Sequence, residues 1–298
     1  MVKNSIRTFY KKYGKMLEPY LFISPAFMIL AFITLFPIIY VAYLSLYKID
    51  LINPDVYIGF KNYTDFFKPA SLQTVNVTIL YLLGSLFFTM VPGFLLALAL
   101  NQKIKFSTFF RSISIIPWTF TAVVAGVCWR WILSPDIGFL SYYIEKIFSF
   151  RPDFLYNPNW ALLLIIIVDS WRSLGYVAVF ILAGLQGIDP SLLEAARVDG
   201  ANYRKIFRYI LLPLLTPSIL VLLILMSMRA LNMVDVVLVV TGGGPMRLTE
   251  TLALHMYKES MSYFNIGYSS AVAVILLIIN LVLAVVYFRM LGDKGGQS

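Results

Sequence analysis

Charge is scarce in this chain, and so are the two side chains that most often hold metals. Only 13% of its 298 residues are charged, against about 25% in an ordinary soluble domain, so it has little with which to cover a large solvated surface. One cysteine, Cys128, excludes an internal disulfide, and one histidine, His255, excludes the usual zinc clusters. Neither calls for a special role. A Walker A ending in Gly-Lys-Ser or Gly-Lys-Thr occurs nowhere, so the chain cannot cradle ATP in that way. No nucleophile with its base and no set of metal ligands recommends an enzyme, and no metal or cofactor is expected. A formal charge of +9 raises nucleic acid as a partner, but the basic residues gather at the edges of apolar runs rather than on one amphipathic face. That placement belongs to membrane topology and argues against nucleic acid.

What the chain does have is apolar sequence: 60% of residues are hydrophobic and the mean hydropathy is +0.81. Stretches of about 20 apolar residues fall near 20–47, 73–100, 111–133, 160–184, 212–240 and 269–290. The fold expected is an all-α, polytopic membrane helix bundle of about six spans, a single transmembrane domain over 1–298. The first run is too long for a signal-peptide core, and no A-x-A-like cleavage site follows it, so it reads as a retained anchor. Lys3, Arg7, Lys11, Lys12 and Lys15 precede it. Lys103, Lys105 and Arg111 follow the second run without an acid, and Arg197, Arg204, Lys205 and Arg208 follow the fourth, while the three alternate loops are nearer balance. The positive-inside rule then puts both termini in the cytoplasm of a prokaryotic cell membrane. Trp129, Trp131, Tyr142, Tyr143, Tyr156 and Trp160 gather where the third and fourth spans should meet the opposite interface. Prolines at 25, 37, 92, 117 and 217 predict kinked helices packed on neighbours.

The cytoplasmic stretch EAARVDGANYRKIFRYILLP, residues 194–213, is too long for a tight turn and too regular for disorder. Two helix starts overlap upstream of it: Asp189 as N-cap with Pro190 in the first turn, or Ser191 with Glu194 as a capping box. The helix should stop at Gly200 in a left-handed position, and a second helix should follow at an angle. Ala195 and Ala196 leave a small-residue surface on the first helix, and Tyr203, Phe207 and Ile210 recur at helical spacing on the second. Periodicity alone also allows an amphipathic hairpin resting in the headgroup region.

The spacing Glu-Ala-Ala, three residues, Gly, nine residues, Ile, one residue, Leu-Pro is met by Glu194, Ala195, Ala196, Gly200, Ile210, Leu212 and Pro213. It resembles the EAA loop of ATP-binding-cassette importer permeases. The resemblance implies a coupling helix within residues 188–212, where Glu194, Ala195, Ala196, Arg197, Asp199 and Gly200 would dock on an ATPase dimer. It also implies a second permease subunit, usually a different chain, and an extracytoplasmic solute-binding protein. VDVVLVVTGGGP, residues 234–245, resembles the sugar-transporting branch typified by the maltose and glycerol-3-phosphate permeases, as do SIIPWTFTAVVAGVCWRWIL, TVNVTILY and ETLALHMYKESMSYFNIGYSSAVAV. Val234 stands where that branch usually has an aromatic, and Ile188, Asp189 and Pro190 replace its frequent Ile-Pro, so no one relative's substrate can be copied. Independently of the family, Gly242, Gly243, Gly244 and Pro245 predict a sharp helix-ending turn.

Asp169, Arg172, Arg229 and Asp235 fall inside apolar runs, where a charge costs roughly 2.5–3.5 kcal/mol unless a cavity or a partner receives it. Asp169 and Arg172, three apart, can pair. Arg229 and Asp235, six apart, need partners from elsewhere, with Arg130 or Arg172 as candidates for Asp235. The resemblance implies that the fifth span lines the sugar cavity, so Arg229, Asn232 and Asp235 are candidates for the path, joined by Tyr176 and Asn76. Such groups suit hydroxyls and sugar faces. Asn76 and Asn232 can equally join helices to one another. A sugar is the expected cargo. Glycerol-3-phosphate or another small polar solute is the alternative, with Arg172 and Arg229 then serving an anion. A secondary transporter without an ATPase is the third reading, although no inverted repeat is evident.

Overall fold

In a bilayer an apolar run must satisfy its backbone within itself, and a helix does so. The computed structural model describes residues 2–50, 52–102 and 105–295; Lys103 of the basic loop lies outside them. The elements in chain order are α1 (Val2–Leu44), a short hairpin of β1 (Tyr47–Lys48) and β2 (Val56–Tyr57), α2 (Lys61–Phe66), α3 (Pro69–Leu100), α4 (Ser107–Thr119), α5 (Ala122–Ile132), α6 (Phe139–Phe148), α7 (Pro158–Gln186), α8 (Pro190–Val198), α9 (Tyr203–Ile206), α10 (Leu212–Leu231), α11 (Asp235–Val240), α12 (Leu252–Met261) and α13 (Ile266–Gly295). Among the described residues five helices are long and apolar enough to cross a membrane: Phe22–Leu44, Ser71–Leu100, Trp160–Gln186, Tyr203–Leu231 and Ile266–Met290.

The third apolar run departs from expectation. It is not one rod but two helices, α4 and α5, bent by 93°. Phe120 is extended at the break, and Thr121 caps α5 by accepting from the Val124 N–H at 3.3 Å. The fifth run departs in the other direction. The second helix of residues 194–213 opens the span: α9 passes through a π-helical turn, Phe207–Leu211, straight into α10. Pro213 explains the widened turn, since it offers no N–H to the carbonyl four residues back and its ring crowds that carbonyl. At the far end the span stops at Leu231, and residues 235–240 form the separate α11.

The core sits where α3, α7 and α10 meet. One apolar cluster, including Ala97, Ile181, Ile206 and Leu215, fills the end near α8. Another, including Tyr81, Ile165, Val236 and Leu254, fills the opposite end. A Cβ at Gly175 would collide with the Ser114 carbonyl, so only glycine lets α7 come this close to α4. The apolar part of α1, by contrast, buries none of its residues and packs along α13, as a peripheral anchor would.

Candidate functional site

At one end of the bundle, the chain leaves α7 and turns into α8. Of the two possible starts, the chain uses Asp189: its carboxylate accepts from the Ser191 N–H at 2.9 Å, with Pro190 in the first turn. These hydrogen bonds hold the Asp189 carboxyl below its ordinary value. The helix ends in a Schellman motif. Gly200 N–H donates to the Arg197 carbonyl at 3.0 Å and Ala201 N–H to the Ala196 carbonyl at 2.9 Å. Gly200 has φ +77, and a Cβ there would meet nothing within 4 Å, so backbone conformation alone calls for glycine. Asn202 then caps α9, accepting from the Lys205 N–H at 2.9 Å.

This elbow has two unlike faces. Leu193, Ala196 and Ala201 seat on the bundle's apolar cluster. Glu194, Ala195, Arg197, Asp199 and Gly200 are exposed, as are Leu192, Val198 and Tyr203. The small-residue surface expected of Ala195 and Ala196 is therefore divided: the two lie about 100° apart around a helix, and only Ala195 faces outward.

Deeper in the bundle, Asp169 of α7 is fully buried and does not pair with Arg172. Arg229 of α10 takes it instead through two parallel bonds, Nη1 to Oδ1 at 2.6 Å and Nη2 to Oδ2 at 2.8 Å. The Tyr81 hydroxyl of α3 donates to the same Oδ2 at 2.9 Å. Three helices thus meet on one carboxylate, a bidentate and charge-assisted arrangement. One turn beyond Arg229, Asn232 donates to the Met228 carbonyl at 2.7 Å and to Asn280 Oδ1 of α13 at 3.3 Å, which is the helix-joining role. Tyr176 stacks on Trp118, ring centres 5.3 Å apart. Asn76 is exposed on α3. Asp235 is exposed in the first turn of α11 and takes neither expected partner: Arg130 donates to the Val239 carbonyl at 3.1 Å, and no ion pair joins Asp235 to Arg172. Of the five candidates, Arg229 and Asn232 share one helix end, Asp235 follows in the first turn of α11, and Asn76 and Tyr176 lie on α3 and α7.

Beyond α11 the glycine turn forms as expected, with Gly242 at φ +62 and Gly243 at φ +88. Its anchor was not foreseen. Glu250, almost fully buried, receives Arg247 at 2.7 Å, Lys258 at 3.1 Å and His255 Nδ1 at 2.9 Å. Burial opposes its charge, but these three partners outweigh that and hold the carboxyl at about 2. The lone histidine is thus a structural member of an ion cluster. Tyr81 and Asn280 also went unpredicted, although a tyrosine or asparagine inside an apolar run is a usable signal.

Residues 89–290 match the family described as binding-protein-dependent transport system inner membrane component. The chain is 34% identical over 94% of its length, and 92% of the relative's, to the sulfoquinovosyl glycerol transport system permease protein SmoG of Agrobacterium fabrum. It is 32% identical over 93% of its length, and 95% of the relative's, to the sn-glycerol-3-phosphate transport system permease protein UgpA of Rhizobium meliloti. In fold it is similar to a chain of a bacterial ABC transporter involved in the import of the acidic polysaccharide alginate, with a TM-score of 0.81, 21% identity, and 96% and 99% of the two chains covered. This chain therefore belongs to the binding-protein-dependent inner membrane permeases of ABC importers, the non-catalytic membrane subunits of such systems.

Proposed function

We propose that this chain, one transmembrane unit from end to end, forms half of the path by which a carbohydrate or polyol derivative enters the cell. Both relatives named above are called transport permeases for glycerol-containing solutes, which supports that cargo class. The motor is an ATPase dimer docking on the elbow at Glu194, Ala195, Arg197, Asp199 and Gly200, with Ala196 seating the elbow on the bundle. A second permease, a different chain, completes the path, and an extracytoplasmic binding protein delivers the solute. Both termini lie in the cytoplasm, as the excess of lysine and arginine near the elbow supports. Arg229, Asn232, Asp235, Tyr176 and Asn76 border the path, Arg229 acting from within its pair with Asp169.

The observation that carries this reading is the elbow itself: a capped, nine-residue helix with no buried residue, carrying exposed Leu192 and Val198 among charges, and ending at a left-handed glycine where an added Cβ would meet nothing within 4 Å. A protein does not maintain such a feature for its own packing. Gly200→Val tests it. In the assembled importer the variant should be present at normal level and leave ATP hydrolysis running while solute uptake falls at least tenfold, because a β-branched residue cannot hold φ +77. Normal uptake at normal protein level would overturn the docking assignment.

A further inference from the structure

Arg172 lies near the middle of the apolar span Trp160–Gln186, on the stripe of α7 that also carries Asp169 and Tyr176. A guanidinium there is costly unless water or a counter-charge receives it. Among the described residues it has neither an ion pair nor a hydrogen bond, and its Nε is buried without a partner. The obvious counter-charge is taken, since both oxygens of Asp169 are committed to Arg229 and one also to Tyr81. Asp235 acts on Arg172 electrostatically but stays beyond ion-pair contact. Arg172, Arg229 and Asp169 together leave one positive charge that no carboxylate contacts among the described residues.

What Arg172 lacks among the described residues is an acceptor in contact with its guanidinium. An anionic oxygen pair supplies one in the geometry a guanidinium fork prefers.

We propose that Arg172 is the specificity-determining residue of the path and receives an anionic group of the cargo, so that the carbohydrate carried bears a phosphate, sulfonate or carboxylate. This rests on the carbohydrate reading above. The test uses the whole importer, both permease halves with ATPase and binding protein, reconstituted in liposomes and offered matched solutes: glycerol-3-phosphate against glycerol, glucuronate against glucose, sulfoquinovosyl glycerol against glucosyl glycerol. The wild type should take up at least one charged member tenfold or more faster than its neutral match. Arg172→Gln should lose that uptake tenfold or more with assembled complex unchanged, and Arg172→Lys should retain part of it. Preference for the neutral member overturns the proposal, as does full charged uptake by Arg172→Gln. A loss of assembled complex in Arg172→Gln that Arg172→Lys restores also overturns it, because the residue then meets a carboxylate of the other permease half. Uptake of no carbohydrate of either kind overturns the carbohydrate reading itself.

Discussion

Gly200 before the helix Tyr203–Leu231 and Gly243 beyond its other end both hold left-handed backbone, at φ +77 and +88, yet their surroundings are opposite. A Cβ at Gly243 would come within 3.0 Å of Lys258 Nζ and 3.2 Å of Glu250 Cβ, whereas at Gly200 it would meet nothing. One turn is locked onto its own chain by the Glu250 cluster. The other projects with its apolar and charged side chains uncovered. The same backbone device sits in a packed turn at one end and in an exposed one at the other, and only the packing around it tells the two apart.

The comparison breaks most severely if the lock is removed. Glu250→Ala strands Arg247, Lys258 and His255 around an empty acceptor and should destabilise the purified protein by on the order of 3 kcal/mol, read as a fall in the thermal midpoint in detergent. An unchanged midpoint would show that the cluster does not hold the turn. Acid should loosen the same lock less, because a protonated carboxyl still accepts hydrogen bonds. The folded value of about 2 lies below the ordinary 4.5, so the contribution is complete above about pH 4.5 and is lost as pH falls toward 2. The thermal midpoint should drop more across that window in the wild type than in Glu250→Gln. The mildest pair sharpens the contrast between the turns. Gly200→Ala carries only the left-handed penalty, roughly 1–2 kcal/mol, and confined to an exposed elbow it should barely move the midpoint. Gly243→Ala adds the contact with Glu250 and Lys258 and should lower it measurably; equal midpoints would erase the distinction.

Apolar run length made four of the spans legible, and the cap, the stop at Gly200 and the glycine turn followed from residue chemistry that acts locally. The errors arose where local and long-range information part. Pro117 marked a kink in the third run, but hydrophobicity continues through Phe120 and Thr121, so the kink's size, a 93° break, was not legible. Arg204, Lys205 and Arg208 set the second helix of the elbow apart from the span, although exposed charges on the first turns of a span cost little when they reach water. Asp169 was offered a partner three residues away and took one sixty residues away, because the choice depends on how α7 and α10 are rotated, which spacing within one helix does not encode. His255 was set aside for being alone in type; its partners are Glu250 and Tyr268, not other histidines.

Because no loop separates the elbow from Arg229, the segment from Tyr203 to Arg229 is a lever arm about 39 Å long at 1.5 Å per residue. A tilt of about 5° about its elbow end sweeps the Arg229 end through roughly 3 Å, more than bonds of 2.6 and 2.8 Å to Asp169 can stretch. Either those bonds break, leaving a buried carboxylate uncompensated, or α7 travels with the arm and draws α3 along through Tyr81. The second course costs far less. Displacement applied at the elbow is therefore delivered to three helices as one rigid stroke.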